Sequence, residues 1–201
     1  VPVPKGTTGE NTRDRILAAA LPLFAANGFA GTSTRLIAKA AKVNVATLAY
    51  YFEGKEGLYM TVLQHLYEDL LGFLPSEVPP VGPETVKWLS STAWAFCQEH
   101  REHIRLVLRH VLDQGLHDEV VVGHYSEPVL MRLEMILGSF RPDWTPVRTR
   151  LYIFGTMHML VRFAIEDRVQ LSTMLGGPED LDQAVVSFLE DFLQTQLYAK
   201  A

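Results

Sequence analysis

Residues 33–58 read STRLIAKAAKVNVATLAYYFEGKEGL, from Ser33 to Leu58. Apolar positions at Leu36, Ile37, Ala40, Val43, Val45, Leu48 and Phe52 suit two short crossing helices that share one small core. The positions left for solvent are Thr34, Arg35, Lys39, Lys42, Asn44, Thr47, Tyr50, Tyr51 and Lys55. These are hydrogen-bond donors and aromatics, and no carboxylate occurs between Ser33 and Glu53. Two crossed helices with a donor-rich, acid-free face form the arrangement that a helix-turn-helix requires to grip a duplex.

The same polarity extends to the flanks. Residues 1–55 carry seven Lys and Arg against three acids, which gives +4. The remaining chain carries 11 basic and 20 acidic residues, which gives −9 and a net charge of −5 for the whole. A basic end facing a polyanion and an acidic body in solvent account for that split.

The run from Thr12 to Leu58 resembles the DNA-binding domain of the TetR (tetracycline-repressor-like) family of bacterial transcription regulators. Thr12-Arg13-Asp14-Arg15-Ile16-Leu17-Ala18-Ala19-Ala20, Leu23-Phe24 and Asn27-Gly28-Phe29 resemble the family's first helix and its end. Thr32-Ser33-Thr34-Arg35 with Ile37-Ala38 resemble its second helix. Val43-Asn44, Thr47-Leu48, Tyr50, Phe52 and Lys55-Glu56-Gly57-Leu58 resemble its recognition helix and the start of the fourth. Three positions depart from the family's pattern: Lys42 stands where the turn often has Gly, Val45 where a polar or basic residue is frequent, and Ala49 where an aromatic is frequent. A left-handed backbone at Lys42 costs a non-glycine residue roughly 1 kcal/mol.

The chemistry of a DNA site distributes over these residues. Ser33 or Thr34 caps a helix N-terminus, which attracts phosphate, and Lys55 stands at another. Arg35, Lys39 and the Tyr50 hydroxyl add further phosphate partners, and the resemblance implies that Thr34, Tyr50 and Lys55 touch the backbone. Packing beneath the first helix is the alternative for Tyr50. Base reading falls to Asn44, Val45, Ala46, Thr47 and Tyr51, with Lys42 reaching a guanine or a phosphate. The third helix has no Arg, so apolar contacts and DNA shape replace bidentate guanine readout.

The chain is expected to be all-α, with about nine helices. Residues 1–11 are expected as a flexible arm, 12–55 as a three-helix DNA-binding domain and 56–201 as a helical effector-binding and dimerisation domain. The first helix starts near Thr12, carries Pro22 and stops at Asn27-Gly28. The spacing then predicts helices over Lys55–Leu74, Pro83–His100, Glu102–Gln114, Glu127–Phe140, Pro146–Asp167 and Pro178–Leu197, with a loop over Gly115–Ser126. Val120-Val121-Val122 is the one run with strand character, and it has no partner.

Past residue 60 no strong chemical motif occurs. The resemblance implies a small-molecule effector, and a homodimer through the last two helices that sets two recognition helices on a near-palindromic double-stranded DNA operator. Both last helices carry apolar residues on more than one face, which demands burial on several sides. Trp88, Trp94, Phe96, Cys97, Met131, Met135, Met157 and His158 suit an adaptable apolar pocket with Arg162 as an anion partner, and they equally suit an ordinary core.

Two other readings stay open. Cys97, His100 and His103, with His110 nearby, have spacings that allow a metal- or thiol-responsive regulator. An all-α enzyme or scaffold without DNA binding is the other. It has no phosphate-binding Gly loop, HExxH or GxSxG pattern to support it, so no enzyme activity and no cofactor are expected. One cysteine rules out an internal disulfide. With no secretory signal and no run long enough to span a membrane, a cytoplasmic location without membrane partners is expected.

Overall fold

A computed structural model describes residues 5–114 and 126–198, apart from the side chains of residues 5–10, 113 and 114. The described residues form ten helices and no strand. They are α1 (Lys5–Gly31), α2 (Thr34–Ala41), α3 (Val45–Phe52), α4 (Lys55–Phe73), α5 (Pro83–Glu99), α6 (Arg101–Gln114), α7 (Glu127–Phe140), α8 (Pro146–Ile165), α9 (Arg168–Met174) and α10 (Leu181–Leu197). The expected loop over Gly115–Ser126, all but Ser126, and with it the valine run, lies outside the described residues. No helix is long and apolar enough to cross a membrane among the described residues.

The chain divides into two compact units, residues 1–68 with 102–122, and residues 69–101 with 123–201. In the first, α1 lies against α2, and α2 against α3. Ile16, Ala20 and Phe24 of α1, Ile37 of α2, Leu48 of α3 and Leu58 and Leu63 of α4 are fully buried. Each large side chain so buried contributes about 1.5–3 kcal/mol. The expected small core is corrected at three positions: Leu36, Ala40 and Val45 face solvent, and Ala38 and Ala41 are buried instead.

Helix α1 begins seven residues before Thr12, at Lys5. Its regular part stops where expected, because Gly28 has φ 72°, a left-handed angle that glycine adopts without a Cβ clash. Pro22 does not break it, since Gly28 is the residue with non-helical dihedrals.

The second unit holds α5 and α7–α10. Helix α10 packs on α5, α5 on α8, and α8 on α7. Val86, Ile136, Phe140, Trp144 and Leu197 form one buried cluster, with Tyr152 and Leu193 packed against it. The expected last helix, Pro178–Leu197, is α10, and a short helix that was not expected, α9, occupies the segment before it. The Asp167 carboxylate accepts from the amides of Val169 (3.0 Å) and Gln170 (3.1 Å) and starts α9. Asp180, rather than Pro178, then caps α10 by accepting from the Gln183 amide at 3.0 Å.

Candidate functional site

Helices α2 and α3 have eight residues each, too short to persist alone, so their ends are fixed by side chains. The Ser33 hydroxyl accepts from the Leu36 amide at 3.2 Å. The Asn44 carbonyl oxygen accepts from the Thr47 amide at 2.6 Å and from the Thr47 hydroxyl at 2.8 Å. Thr47 thereby commits its hydroxyl proton to the cap, so it meets a base as an acceptor or through its methyl group.

The turn between them is closed by Lys42, which has φ 55° and ψ 46°. The Val43 amide donates to the Ala38 carbonyl at 2.9 Å and the Lys42 amide to the Lys39 carbonyl at 3.2 Å, a Schellman closure. A lysine thus holds the left-handed position that glycine would fill more cheaply. Glu53 repeats the device at the end of α3, with φ 57°. The next close approach explains Gly57: a Cβ there would overlap the Phe52 carbonyl oxygen.

These ends present one solvent-facing surface. Arg35, Lys39 and Lys42 are exposed at i, i+4 and i+7. From α3 and its cap, Asn44, Val45 (41% exposed), Ala46 and Tyr50 (82%) are exposed, with Thr47 and Tyr51 half-buried. Tyr50 meets Tyr51 edge-on with centroids 5.2 Å apart, and packing beneath α1 is excluded for it. Ser33 is exposed and Thr34 half-buried. Leu36, 41% exposed, joins this surface and was missed because its spacing read as core.

Lys55 departs from expectation. Its ammonium donates to the Phe29 carbonyl at 2.9 Å and sits 4.1 Å from the centre of the Phe29 ring. It closes the end of α1 rather than projecting freely. Arg15 is used similarly, donating to the Ala41 carbonyl at the end of α2 at 3.2 Å. Arg109 of α6 donates to the Ala26 carbonyl at 2.7 Å. Part of the positive charge of the first unit is therefore structural.

The effector-pocket candidates do not assemble as one lining. Trp94, Phe96 and Cys97 are buried, whereas Trp88, Met131 (61% exposed), Met135 and His158 face solvent. Trp94 donates its indole proton to Asp182 at 2.9 Å, and Asp182 also receives both terminal nitrogens of Arg168 at 2.9 Å. The Arg168 guanidinium holds the Asp182 carboxyl below the usual range. Arg162 is exposed and paired one turn on with Glu166, and Met157 is half-buried.

The metal and thiol alternative is corrected in its chemistry. Burial pushes the Cys97 thiol up to about 12, which holds it protonated and inert at neutral pH. His100 stacks on Phe96 with centroids 4.2 Å apart and lies 3.5 Å from an Asp69 carboxylate oxygen. Among the described residues no group of three or more His, Cys, Asp or Glu is placed to hold a metal ion.

The second unit leaves an apolar stripe in solvent. Val147, Leu151 (68% exposed) and Phe154 fall at i, i+4 and i+7 of α8, and Phe188 of α10 is also half in solvent. Phe163 meets Phe188 edge-on at 6.0 Å and Tyr152 stacks on Phe192 at 6.0 Å, so α8 and α10 are neighbours.

Comparison with known proteins bears on this geometry. The family described as bacterial regulatory proteins, tetR family, matches residues 16–61. The chain is 37% identical over 188 residues to the HTH-type transcriptional regulator UidR of Escherichia coli (strain K12), covering 85% of this chain and 94% of UidR. It is 34% identical over 113 residues to the HTH-type transcriptional repressor NicS of Pseudomonas putida, covering 54% of this chain and 52% of NicS. Against a probable HTH-type transcriptional regulator of Bacillus subtilis it likewise spans only 56% of that protein's length. The structure of Salmonella enterica GusR has the same fold, with a TM-score of 0.69 at 21% identity over 92% of this chain and 95% of that one.

Proposed function

The chain belongs to the tetR family of DNA-binding bacterial transcriptional regulators, and from that premise we propose that it is a repressor whose hold on a near-palindromic DNA operator is changed by a small-molecule effector. One observation carries the DNA half of this reading: the exposed surface of α2 and α3 combines Arg35, Lys39 and Lys42 with Val45, Ala46 and Tyr50 and contains no carboxylate before Glu53. Phosphates meet Ser33, Thr34, Arg35, Lys39 and the Tyr50 hydroxyl, which fixes the register of the protein on the duplex. Asn44, Val45, Ala46, Thr47 and Tyr51 face base edges, and Val45 and Ala46 match thymine methyl groups. Lys42 serves either partner.

The protein acts as a homodimer. The stripe Val147, Leu151, Phe154 on α8, joined by Phe188 on α10, is the surface that a second copy covers, and it corresponds to the last two long helices. A twofold pair then sets two α3 helices about 34 Å apart, one helical turn of DNA. The effector acts by preferring one of two arrangements of that dimer, which is the whole thermodynamic requirement. Regulation by binding needs no bond chemistry, so this reading assigns the protein no reaction, and it sets the protein in the cytoplasm with its operator.

Selection of bound fragments from a random DNA pool tests this. The wild type is expected to enrich a twofold-symmetric site at low salt, and an Arg35→Ala, Tyr50→Ala variant is expected not to. Affinity for that site falls with salt, with a log–log slope of about −0.9 per phosphate neutralised. Equal recovery by wild type and variant would remove α2 and α3 as the reading surface.

A further inference from the structure

A cleft of about 150 Å³ lies in the first unit, lined by Leu17, Ala18 and Leu21 of α1, Val62 and His65 of α4, and His103 of α6. None of the aromatic and Met residues considered above as effector contacts belongs to it. We propose that this cleft is a binding site for a small aromatic carboxylate of the benzoate class, one ring with one acidic group.

Size sets the ring. A cleft of about 150 Å³ has room for a benzene-sized molecule. The wall chemistry agrees, since Leu17, Leu21 and Val62 supply alkyl surface and Ala18 is the small residue that leaves the opening.

The imidazoles set the acidic group. His65 and His103 come from different helices and are both half-buried, and they are the polar side chains that line the cleft among the described residues. Imidazole donates a proton to a carboxylate oxygen in either tautomer, and as imidazolium it adds an opposite charge. A carboxylate between two such rings gains donors that a neutral aromatic cannot use fully. Among the described residues no carboxylate lines the cleft to repel it.

The position gives the site a consequence. Helix α1 carries the cleft wall and packs on α2, which in turn packs on α3. A ligand wedged between α1 and α4 favours whichever spacing of those helices admits it, and so biases DNA binding by its differential affinity. That consequence rests on the regulator reading; the binding itself does not, and it is measured on free protein.

The experiment is a titration of full-length protein with sodium benzoate, read by the imidazole carbon–proton signals of His65 and His103 and by calorimetry. Saturable shifts of both imidazoles are expected. Benzyl alcohol and acetate are expected to bind on the order of tenfold more weakly, since each lacks one half of the recognition. Ala18→Phe fills the opening from an exposed position and is expected to abolish the shifts while helicity and melting temperature persist. His65→Leu with His103→Leu is expected to bring benzoate down to the affinity of benzyl alcohol. No saturable shift, shifts that survive Ala18→Phe, or equal affinity for benzyl alcohol would each overturn the assignment. Benzoate binding by a protein that selects no operator keeps this site and removes the regulator reading; operator selection without benzoate binding does the reverse.

Discussion

Helices α3 and α8 both hold large apolar side chains in solvent, and the company those side chains keep is different. Beside Val45 and Tyr50 stand Arg35, Lys39 and Lys42, exposed cations of the preceding helix, with no acid nearer in sequence than Glu53. Beside Val147, Leu151 and Phe154 the cations are already engaged. Arg150 donates to Glu134 at 2.6 Å and to Glu127 at 3.2 Å, and Arg148 lies 4.8 Å from the centre of the Trp144 ring. An apolar face edged by uncompensated positive charge suits thymine methyls and phosphates. One whose flanking charges are satisfied within the chain suits a second protein surface, where an unpaired charge would be desolvated without return.

The largest effect should come from charging the second face. Leu151→Glu with Phe154→Glu is expected to give a monomer at micromolar concentration in sedimentation, with helicity kept because both residues are exposed. Operator affinity should then fall by about two orders of magnitude or more, since each α3 binds without its twin. A dimer that survives both substitutions would mean that α8 is not the paired surface.

The first face is tested by two basic residues that sequence alone treats as equals. Arg35→Ala should weaken binding to every duplex about tenfold and flatten the salt slope by about one unit. Lys55→Ala should instead lower stability by about 1–2 kcal/mol, because the Phe29 carbonyl loses a charged donor, and should move the salt slope less. Thermal melts and salt titrations of the pair separate the two roles, and a reversed result would return Lys55 to the DNA surface.

Smaller effects follow from the caps. Asn44→Ala should cost about 1 kcal/mol, by freeing the Thr47 amide and hydroxyl together, and urea melts should show it. The second unit has a pH counterpart in Asp182, whose folded pKa lies below its unfolded value chiefly through the Arg168 bond. Its contribution is present above the ordinary aspartate pKa and is lost as pH falls through the lowered one. Asp182→Asn should therefore lower stability at neutral pH, flatten the acid limb of stability against pH and converge with wild type once the carboxyl is protonated. The smallest change has the opposite sign: Lys42→Gly should raise stability by roughly 0.5–1 kcal/mol, by relieving the left-handed turn.

Legibility also differs between the units. The bounds of α2 and α3, the stop at Gly28 and the left-handed Lys42 were readable, because each depends on residues within four positions of it. Helix α9 was missed although Asp167 and Gly176-Gly177 mark its ends, since seven residues are too few to show a helical period. The pocket candidates divide between interior and surface for a different reason. Trp88 and Trp94 differ by six positions on one helix, and the buried one, Trp94, donates to Asp182, 88 residues away.

By itself the sequence determined the helical class, the family, the helix-turn-helix with its caps, and the separation of basic from acidic segments, because periodicity, capping and net charge are local or additive. The tertiary structure alone decided which cations are spent closing helix ends, that Leu36 and Val45 face outward, that the Cys97 thiol is held inert, and that two histidines from α4 and α6 line one cleft with α1. Those outcomes depend on what one helix places against another, and burial, desolvation and long-range hydrogen bonds have no signature in the spacing of a single chain segment.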